Sequence, residues 1–479
     1  MALVAFFVAL ATRGHSSCLS PPSPASSGSA AQCVADPARR VVLISLDGFR
    51  ADYVSRILAS TPVLGGPTFP AFRWLLTHGS RAQAMLPVFP SKTFVNHYTV
   101  ATGLWPAWHG IIANAFVLHN ASGSFPFNMQ TKDPNFWLGE PIWVTAQKAG
   151  LQARTTGWPG SEVALQSWNP LQTAAPFNYS QSPAERVDAV LALLRSPSGP
   201  PALSTLYLND ADDAGHATGP DSDAVEAAIA TLDAALWRLL QGMNASGLLA
   251  GTHVMVTSDH GMASTCGCGR TIPAAVILPA SMVNKTSSVQ ALLAAGAELN
   301  GPFVGMPCDG CTLAQARSLA GAMNAAAAAA GYGSVFTASA KQDLPARFTG
   351  YGASSRVWPV MGLPAPGYVV STDGLSPPSC AGTHGWDVRY AAMHATLLAA
   401  GPRFVPGAIL PPPKVAPVAG AGQTGSTAGG SAGVLAAGGA GMAVPNTEVY
   451  GIIAELLGAP PAPNNGTPGY PRQVLLPRC

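Results

Sequence analysis

The sequence predicts an α/β fold in which a mostly parallel central sheet carries helices on both faces. Three short apolar runs rich in β-branched residues, 41–46, 203–208 and 254–258, have the character of buried parallel strands. Helical segments alternate with these runs, and the clearest, 222–243, has apolar residues at helical spacing. Alternation of strands and helices indicates a parallel sheet that is covered on both sides.

The other predicted elements follow from the same periodicities. Strands are expected near 81–86 and at 152–158. An alanine-rich stretch at 312–330 is expected to extend a helix, because alanine has the highest helix propensity. The predicted helices are 50–59, 69–78, 94–102, 142–149, 184–195, 222–243, 312–330 and a final one that ends at Leu457.

One domain, at 38–470, is expected to hold most of the 479 residues. Before it, an apolar run at 2–11 has the length of a secretory signal core and is too short to span a bilayer. We therefore interpret residues 1–17 as a signal peptide, whether cleaved or retained. The other segments are a disordered Ser/Pro-rich lead-in at 18–37, a disordered Gly/Ala-rich insertion at 413–445 and a C-terminal tail at 471–479.

Composition limits the classes of partner. Hydrophobic residues make up 48% of the chain and charged residues 10%, against about 25% charged in a typical domain. The net charge is +2 and the Lys and Arg residues are scattered, so long nucleic acids are disfavoured as ligands. Small-molecule substrates, no membrane span and a monomer are expected.

The cysteines leave two interpretations open. Cys266-Gly-Cys268 and Cys308-Asp-Gly-Cys311 are compatible with a zinc knot in a cytosolic protein and with disulfides in a secreted one. The signal-like start favours disulfides and secretion, with pairing unassigned, and glycosylation sequons agree with a secreted glycoprotein. The cysteines are 18, 33, 266, 268, 308, 311, 380 and 479, and the sequons begin at Asn120, Asn178, Asn244, Asn284 and Asn465, the last weakened by Pro468.

Acidic residues follow the three predicted strands, and histidines accompany them. Because the carboxyl ends of parallel strands share one edge of a sheet, these side chains are expected to meet there. Carboxylate and imidazole groups without thiolates favour zinc, and the set is too large for one tetrahedral ion but fits two. The candidate ligands are Asp47, Thr93, Asp212, His216, Asp259, His260 and His384.

Thr93 is the candidate nucleophile of this cluster. A threonine hydroxyl is nearly inert at neutral pH and needs a base or a metal to remove its proton. Thr93 precedes the helix predicted at 94–102, where the helix N-terminus would favour a phosphate. A pair of metal ions beside such a hydroxyl is suited to phosphoryl transfer. Each residue alone has an ordinary interpretation as a cap or turn residue, but the joint pattern favours a metal site.

Ten short motifs occur in order over nearly the whole chain. They are LDGFR at 46–50, FPSKTFVNHY at 89–98, TGLWP at 102–106, HGIIAN at 109–114, GEPIW at 139–143, WPGSE at 158–162, DDAGHATGP at 212–220, SDHGM at 258–262, THGW at 383–386 and PAPNNGT at 461–467. Through these motifs the chain resembles the ecto-nucleotide pyrophosphatase/phosphodiesterase family, the type I phosphodiesterases of the alkaline phosphatase superfamily.

The resemblance implies an alkaline-phosphatase-like catalytic domain with two Zn²⁺ ions and a covalent phospho-threonine intermediate on Thr93. It implies release of nucleoside 5′-monophosphates from nucleotides in the extracellular space, with Asn114 donating to a phosphate oxygen. Phe94 and either Phe177 or Tyr179 would enclose the base. In the implied ligand sets, Asp47, Thr93, Asp259 and His260 hold the ion that activates the nucleophile, and Asp212, His216 and His384 hold the ion beside the leaving group.

Other functions stay open at this point. The same family includes lipid and choline phosphodiesterases of the lysophospholipase C type, and a non-catalytic secreted binding glycoprotein would keep the fold without the reaction. A monoesterase is disfavoured because no arginine accompanies Thr93 to bind a dianionic phosphate. A sulfatase is disfavoured because its nucleophile would be cysteine or serine, converted to an aldehyde.

Overall fold

The computed structural model of the chain confirms the α/β fold, with helices on both faces of a large, mostly parallel sheet. The predicted signal peptide, most of the lead-in and most of the insertion lie outside the residues that it describes. The described residues are 33–36, 38–59, 68–120, 123–166, 168–266, 270–279, 292–293, 296–299, 301–308, 310–372, 381–414 and 443–479.

The helices and strands agree with most of the predicted elements, with shifts of one to three residues at their ends. The strands are β1 (Arg40–Leu46), β2 (Gly79–Ala82), β3 (Met85–Leu86), β4 (Phe116–Asn120), β5 (Gly123–Phe127), β6 (Ala153–Thr156), β7 (Ala174–Ala175), β8 (Leu203–Leu208), β9 (Thr252–Thr257), β10 (Ala263–Ser264), β11 (Thr271–Pro273), β12 (Val304–Met306), β13 (Phe336–Ala340), β14 (Val360–Pro364), β15 (Val369–Ser371), β16 (Gly382–Thr383), β17 (Leu397–Ala400), β18 (Ile409–Leu410) and β19 (Val444–Pro445). The helices are α1 (Ala51–Ala59), α2 (Pro70–His78), α3 (Thr93–Thr102), α4 (Pro106–His109), α5 (Ile142–Lys148), α6 (Pro170–Thr173), α7 (Pro183–Leu194), α8 (Asp210–Thr218), α9 (Asp223–Ala245), α10 (Ala274–Ile277), α11 (Leu313–Ala329), α12 (Glu448–Leu457) and α13 (Pro471–Val474). Short 3₁₀ turns are Pro134–Phe136, Leu249–Gly251, Lys341–Asp343, Ala346–Phe348, Tyr351–Ala353 and Ala391–Met393.

The central sheet has eight strands in the order β18-β2-β17-β9-β1-β8-β6-β7. Strand β1 lies between β8 and β9 and is parallel to both, with Leu46 opposite Leu208 and Ser45 opposite Thr257. This register brings the carboxyl ends of the three strands level with one another. Residues that follow these strands therefore meet at one edge.

Each face of the sheet is covered by its own set of helices. Val41 and Leu43 belong to the core that includes α3, α5 and α12, whereas Val42 and Ile44 belong to the core that includes α1, α2, α7 and α9. A strand that is buried on both faces needs apolar side chains at every position, which explains the continuous apolar run of β1.

Strand β17 is the antiparallel member of the central sheet, pairing with β9 and β2 in that sense. It was not predicted, because four apolar residues carry no periodicity of their own. The predicted strand at 81–86 is two strands: β2 joins the central sheet, while β3 pairs with β19. The hairpin β4–β5 was also not predicted.

A smaller antiparallel sheet, β12-β14-β13, packs against helix α11. The buried face of α11 consists of Ala316, Ala320, Met323 and Ala327. These positions are spaced three or four residues apart, so they lie on one face of the helix. Because most of them are alanine, the helix can approach its sheet closely.

Two disulfides occur among the described residues, Cys33–Cys479 and Cys308–Cys311. The second pair agrees with disulfide formation rather than a zinc knot at that motif. Among the sequons, Asn178 and Asn244 are exposed. Asn465 is buried and its Oδ1 accepts a hydrogen bond of 2.9 Å from the Trp105 N–H.

The Cys33–Cys479 disulfide joins the two ends of the described chain. Val34 N–H donates to the Pro477 carbonyl at 2.9 Å, and the Arg478 guanidinium donates to Asp36 Oδ2 at 2.8 Å. Within the described part of the chain, no helix is long and apolar enough to cross a membrane.

We expect Cys479→Ser to lower the free energy of unfolding by roughly 3–5 kcal/mol, because a cross-link with a sequence separation of 446 restricts the unfolded chain strongly. Urea unfolding measures the change. Cys308→Ser is the matched control, since that disulfide has a sequence separation of only 3 and its loss should cost less. Equal losses in the two variants would contradict this prediction.

Glu448 gives the fold a pH dependence. Its carboxylate is buried and accepts hydrogen bonds from the backbone and hydroxyl of Thr467, yet burial raises its pKa from 4.5 to about 7. A raised pKa in the folded state means that the stabilising contribution is complete below pH 4.5 and is lost as the pH rises through 7.

Glu448→Gln should therefore flatten the decline of unfolding free energy between pH 4.5 and 7 by about 3 kcal/mol. Urea unfolding of both proteins across this range checks the prediction. Parallel pH profiles for the variant and the wild type would show that Glu448 is not the titrating group.

Candidate active site

The carboxyl edge of the central sheet carries the predicted acidic residues. Asp47 directly follows β1 and its N–H donates to the Leu208 carbonyl at 2.8 Å. Asp259 follows β9 by one residue and its Oδ1 accepts from the Gly48 N–H at 3.1 Å. Asp212 is on helix α8, which begins two residues after β8. All three side chains are buried.

One group of metal-binding atoms consists of Asp47, Asp259 and His260, which offer atoms within 4.8 Å of one another. His260 Nε2 lies 2.9 Å from Asp259 Oδ2 and 3.4 Å from Asp47 Oδ1. Oxygen and imidazole nitrogen atoms converging at this spacing can hold a divalent ion.

A second group consists of Asp212, His260 and His384, also within 4.8 Å of one another. His216 adds a fourth candidate atom, because its Nε2 lies 3.4 Å from Asp212 Oδ2 and 3.2 Å from His384 Nε2. Asp212 and His216 are four residues apart on α8 and so lie on one face of that helix. His260 contributes to both groups, and its ring stacks on that of His384 at 3.5 Å.

The histidine tautomers suit metal binding. The Nδ1 atoms of His216, His260 and His384 lie 2.9, 2.9 and 2.8 Å from the backbone carbonyls of Gly382, Gly261 and Ser91. A carbonyl only accepts, so each Nδ1 carries a proton, and in the neutral form of each ring the lone pair is on Nε2. In all three rings it is Nε2 that faces the cluster, as a metal ligand requires.

Three carboxylate oxygens of the cluster have no hydrogen-bond partner among the described residues. Asp47 Oδ1, Asp212 Oδ1 and Asp259 Oδ2 are buried and receive no hydrogen bond. Burial and the neighbouring carboxylates raise the pKa of Asp47 and of Asp259 well above the usual range, and burial raises the pKa of Asp212 to about 6. Burial also lowers the pKa of His384, which keeps its ring neutral. Orphaned carboxylate oxygens and neutral imidazoles together fit bound divalent cations.

Thr93 is the first residue of helix α3, one residue before the predicted start of that helix, and it lies beside the metal-binding atoms. Its Oγ1 is 3.3 Å from His260 Nε2. Asn114 is held nearby because its Oδ1 accepts from the Phe94 N–H at 3.0 Å. The Asn114 Oδ1 is therefore occupied, and its amide NH₂ is the group left to donate to a ligand.

Residues that were not predicted hold this arrangement in place. The Tyr207 hydroxyl donates to Asp47 Oδ2. His97, one turn after Thr93, has Nδ1 2.8 Å from the Thr93 carbonyl and 3.4 Å from Asp259 Oδ2. Its Nε2 lies 2.8 Å from Ser45 Oγ. Tyrosine and histidine residues in apolar strands and helices are usually part of the core, so their type alone does not indicate a site. The only feature of the sequence that could have identified His97 is its position four residues after Thr93, one helical turn away.

A cavity of about 810 Å³ opens in front of the cluster. The predicted aromatic residues line it: Phe94 packs on Trp137 with ring centroids 6.0 Å apart, and Phe177 packs on Tyr207 at 5.1 Å. Tyr179 also lines the cavity but is 77% exposed. Lys132 and Glu162 form an ion pair at its rim that was not predicted.

The predicted site residues thus lie together around one cavity. Asp47, Thr93, Phe94, Asn114, Phe177, Tyr179, Asp212, His216 and His384 line it, and Asp259 and His260 are buried behind them. A hydroxyl beside two potential cation sites, with an amide donor and aromatic walls, can act on a phosphorus centre carried by a planar group.

Comparisons with known proteins identify similar chains. A family model described as type I phosphodiesterase/nucleotide pyrophosphatase matches residues 41–387. An uncharacterized pyrophosphatase/phosphodiesterase of Schizosaccharomyces pombe is 31% identical over 436 residues, which are 89% of this chain and 78% of the relative. Venom phosphodiesterase 2 of Crotalus adamanteus is 31% identical over 94% of this chain and 49% of its own length. The chain thus spans about half the length of that relative.

Solved structures with a similar fold are the murine and human ectonucleotide pyrophosphatase/phosphodiesterase 5. Each has a TM-score of 0.71 and 26% identity, and the match covers 91% of this chain and 99% of the solved chain. The murine protein was solved as an inactive threonine-to-alanine variant in complex with AMP.

Removal of bound metal is expected to lower the melting temperature by about 5 °C, because the buried carboxylates then face one another without a cation. Dialysis against a chelator followed by return of Zn²⁺ tests this, with the melting temperature expected to recover. The double variant Asp47→Asn and His384→Ala should lose the response to zinc. An unchanged melting temperature after metal analysis has verified complete removal would contradict the prediction.

Proposed function

Because the chain belongs to the type I phosphodiesterase/nucleotide pyrophosphatase family, we propose that it hydrolyses nucleotides and their diesters and releases nucleoside 5′-monophosphates. The observation that supports this best is the position of the Thr93 hydroxyl, 3.3 Å from His260 Nε2 at the N-terminus of α3. A nucleophile at that point faces both groups of potential metal ligands and the aromatic cavity.

Two Zn²⁺ ions are proposed as the cofactors. The residues that would hold the first are Asp47, Thr93, Asp259 and His260, and those that would hold the second are Asp212, His216 and His384. When bound, such ions supply acidification of a hydroxyl and neutralisation of phosphate and leaving-group charge.

The reaction proceeds in two balanced steps on Thr93. Its Oγ1 forms a bond to phosphorus as the bond from phosphorus to the leaving oxygen breaks. The hydroxyl proton passes to the solvent, and the leaving group departs as an alcohol that takes up a solvent proton, or as a phosphate. Asn114 donates from its amide to a non-bridging phosphate oxygen. Water then bonds to phosphorus, the bond between phosphorus and Oγ1 breaks, and Thr93 regains a proton. The product is a nucleoside 5′-monophosphate.

Aromatic side chains support a nucleotide substrate. Phe94 is held against Trp137 on one wall, and Phe177 is held against Tyr207 on another. Base stacking on an aromatic face is worth about 1–3 kcal/mol. Phe94 and Phe177 are the proposed stacking residues, and the exposed Tyr179 is proposed to contact the base edge or ribose.

The protein is proposed to be secreted. The two disulfides suit an oxidising compartment, and the apolar run at 2–11 suits a signal peptide. Relatives of this chain include an ectonucleotide enzyme of the mouse and a venom enzyme.

Thr93→Ala should lower kcat for nitrophenyl-TMP by about 10³-fold or more, because no other hydroxyl replaces the nucleophile. Thr93→Ser keeps a hydroxyl and should retain more activity, and Thr77→Ala on the exposed face of α2 serves as the control. Chelation should abolish turnover in the wild type.

The wild type should cleave nitrophenyl-phosphocholine at least tenfold more slowly than nitrophenyl-TMP, which corresponds to about 1.4 kcal/mol of discrimination. Turnover that survives both chelation and Thr93→Ala would overturn the proposal.

A further inference from the structure

Arg186 lies behind the Phe177 wall of the cavity, in the first turns of α7. Only 4% of its surface is exposed, and it is not among the residues that line the cavity. The start of α7 is fixed by a capping box, in which the Ser182 side chain accepts from the Glu185 N–H and Glu185 accepts in return. A buried guanidinium on a rigidly capped helix has a defined position.

The guanidinium makes three different contacts. Its Nη1 donates to Asn209 Oδ1 at 3.0 Å, its Nη2 donates to the Asn178 carbonyl at 3.1 Å, and its Cζ lies 4.5 Å from the centroid of the Phe177 ring. A cation over an aromatic face at this distance is attracted to the ring. One side chain therefore holds both the ring of Phe177 and the backbone that follows it.

The same network extends to the metal-binding helix. Asn209 Nδ2 donates to Asp213 Oδ2 at 2.5 Å, and Asp213 lines the cavity beside Asp212. Phe177 in turn packs against Tyr207, whose hydroxyl donates to Asp47. Arg186 is thus linked through Asn209 to Asp213, the neighbour of Asp212, and through Phe177 and Tyr207 to Asp47.

We propose that Arg186 is a positioning residue that sets the nucleobase-binding wall, a role that rests on the proposed function. It acts through Phe177 and does not touch the substrate. Its planar fork satisfies two acceptors in fixed directions while its face covers the ring. A lysine carries one compact charge and cannot make the three contacts together. Loss of this support lets the Phe177 ring leave its position, which weakens binding of the base but not of the phosphate.

The test compares two ligands that differ only in the base. Binding of AMP and of ribose 5-phosphate to the zinc-loaded full chain is measured by calorimetry for the wild type, Arg186→Met and Arg186→Lys. Arg195→Met is the matched control, since Arg195 follows the same helix and tethers it to α9 through Ser246 Oγ at 2.8 Å and the Gly242 carbonyl at 3.0 Å. Neither ligand is turned over, so the result does not depend on hydrolysis.

We expect Arg186→Met to weaken AMP binding about tenfold and to leave ribose 5-phosphate within twofold, with Arg186→Lys showing the same selective loss and Arg195→Met showing none. If the Arg186→Met variant does not fold, the comparison is made with Arg186→Lys alone. An equal loss for both ligands, no loss for either, or full recovery of AMP binding with lysine would overturn the proposal. Absence of nitrophenyl-TMP hydrolysis by the wild type would instead count against the proposed function alone.

Discussion

Three carboxylates buried side by side at one edge of a sheet are the constraint on which this structure depends. Asp47, Asp212 and Asp259 each keep an oxygen that receives no hydrogen bond from the described residues. Such a cluster is unfavourable unless protons or cations neutralise it. Burial raises the pKa of all three carboxyl groups, and neighbouring carboxylates add to the shifts of Asp47 and Asp259. The parallel register of β1 with β8 and β9 brings the three carboxylates together. The arrangement of the sheet therefore produces a cluster of negative charge that bound cations would neutralise.

The surrounding residues are arranged so that they can bind cations beside these carboxylates. Backbone carbonyls hold the Nδ1 protons of His216, His260 and His384, which directs three Nε2 lone pairs at the same space. Tyr207 connects this cluster to the wall of the cavity, since its hydroxyl donates to Asp47 and its ring packs against Phe177. Substrate-facing and ligand-facing parts of the site therefore share one set of packed side chains.

The sequence predicts those residues of the site that are marked by a pattern among their near neighbours in the chain. Asp47 and Asp259 end continuous apolar runs, and Asp212 with His216 has helical spacing, so their meeting follows from strand order. Arg186 and Tyr207 could not be predicted, because their partners Asn209 and Asp47 lie 23 and 160 residues away and their types are common in ordinary cores. The three-residue strand β12 carries too little pattern to distinguish it from a loop.

The central claim is that two cations sit between these side chains and act on the Thr93 hydroxyl. Anomalous diffraction at the zinc edge from crystals of the zinc-loaded protein tests it most directly. The account predicts two peaks, one among Asp47, Thr93, Asp259 and His260 and one among Asp212, His216 and His384. A single peak, or peaks bound elsewhere while these residues hold none, would contradict it.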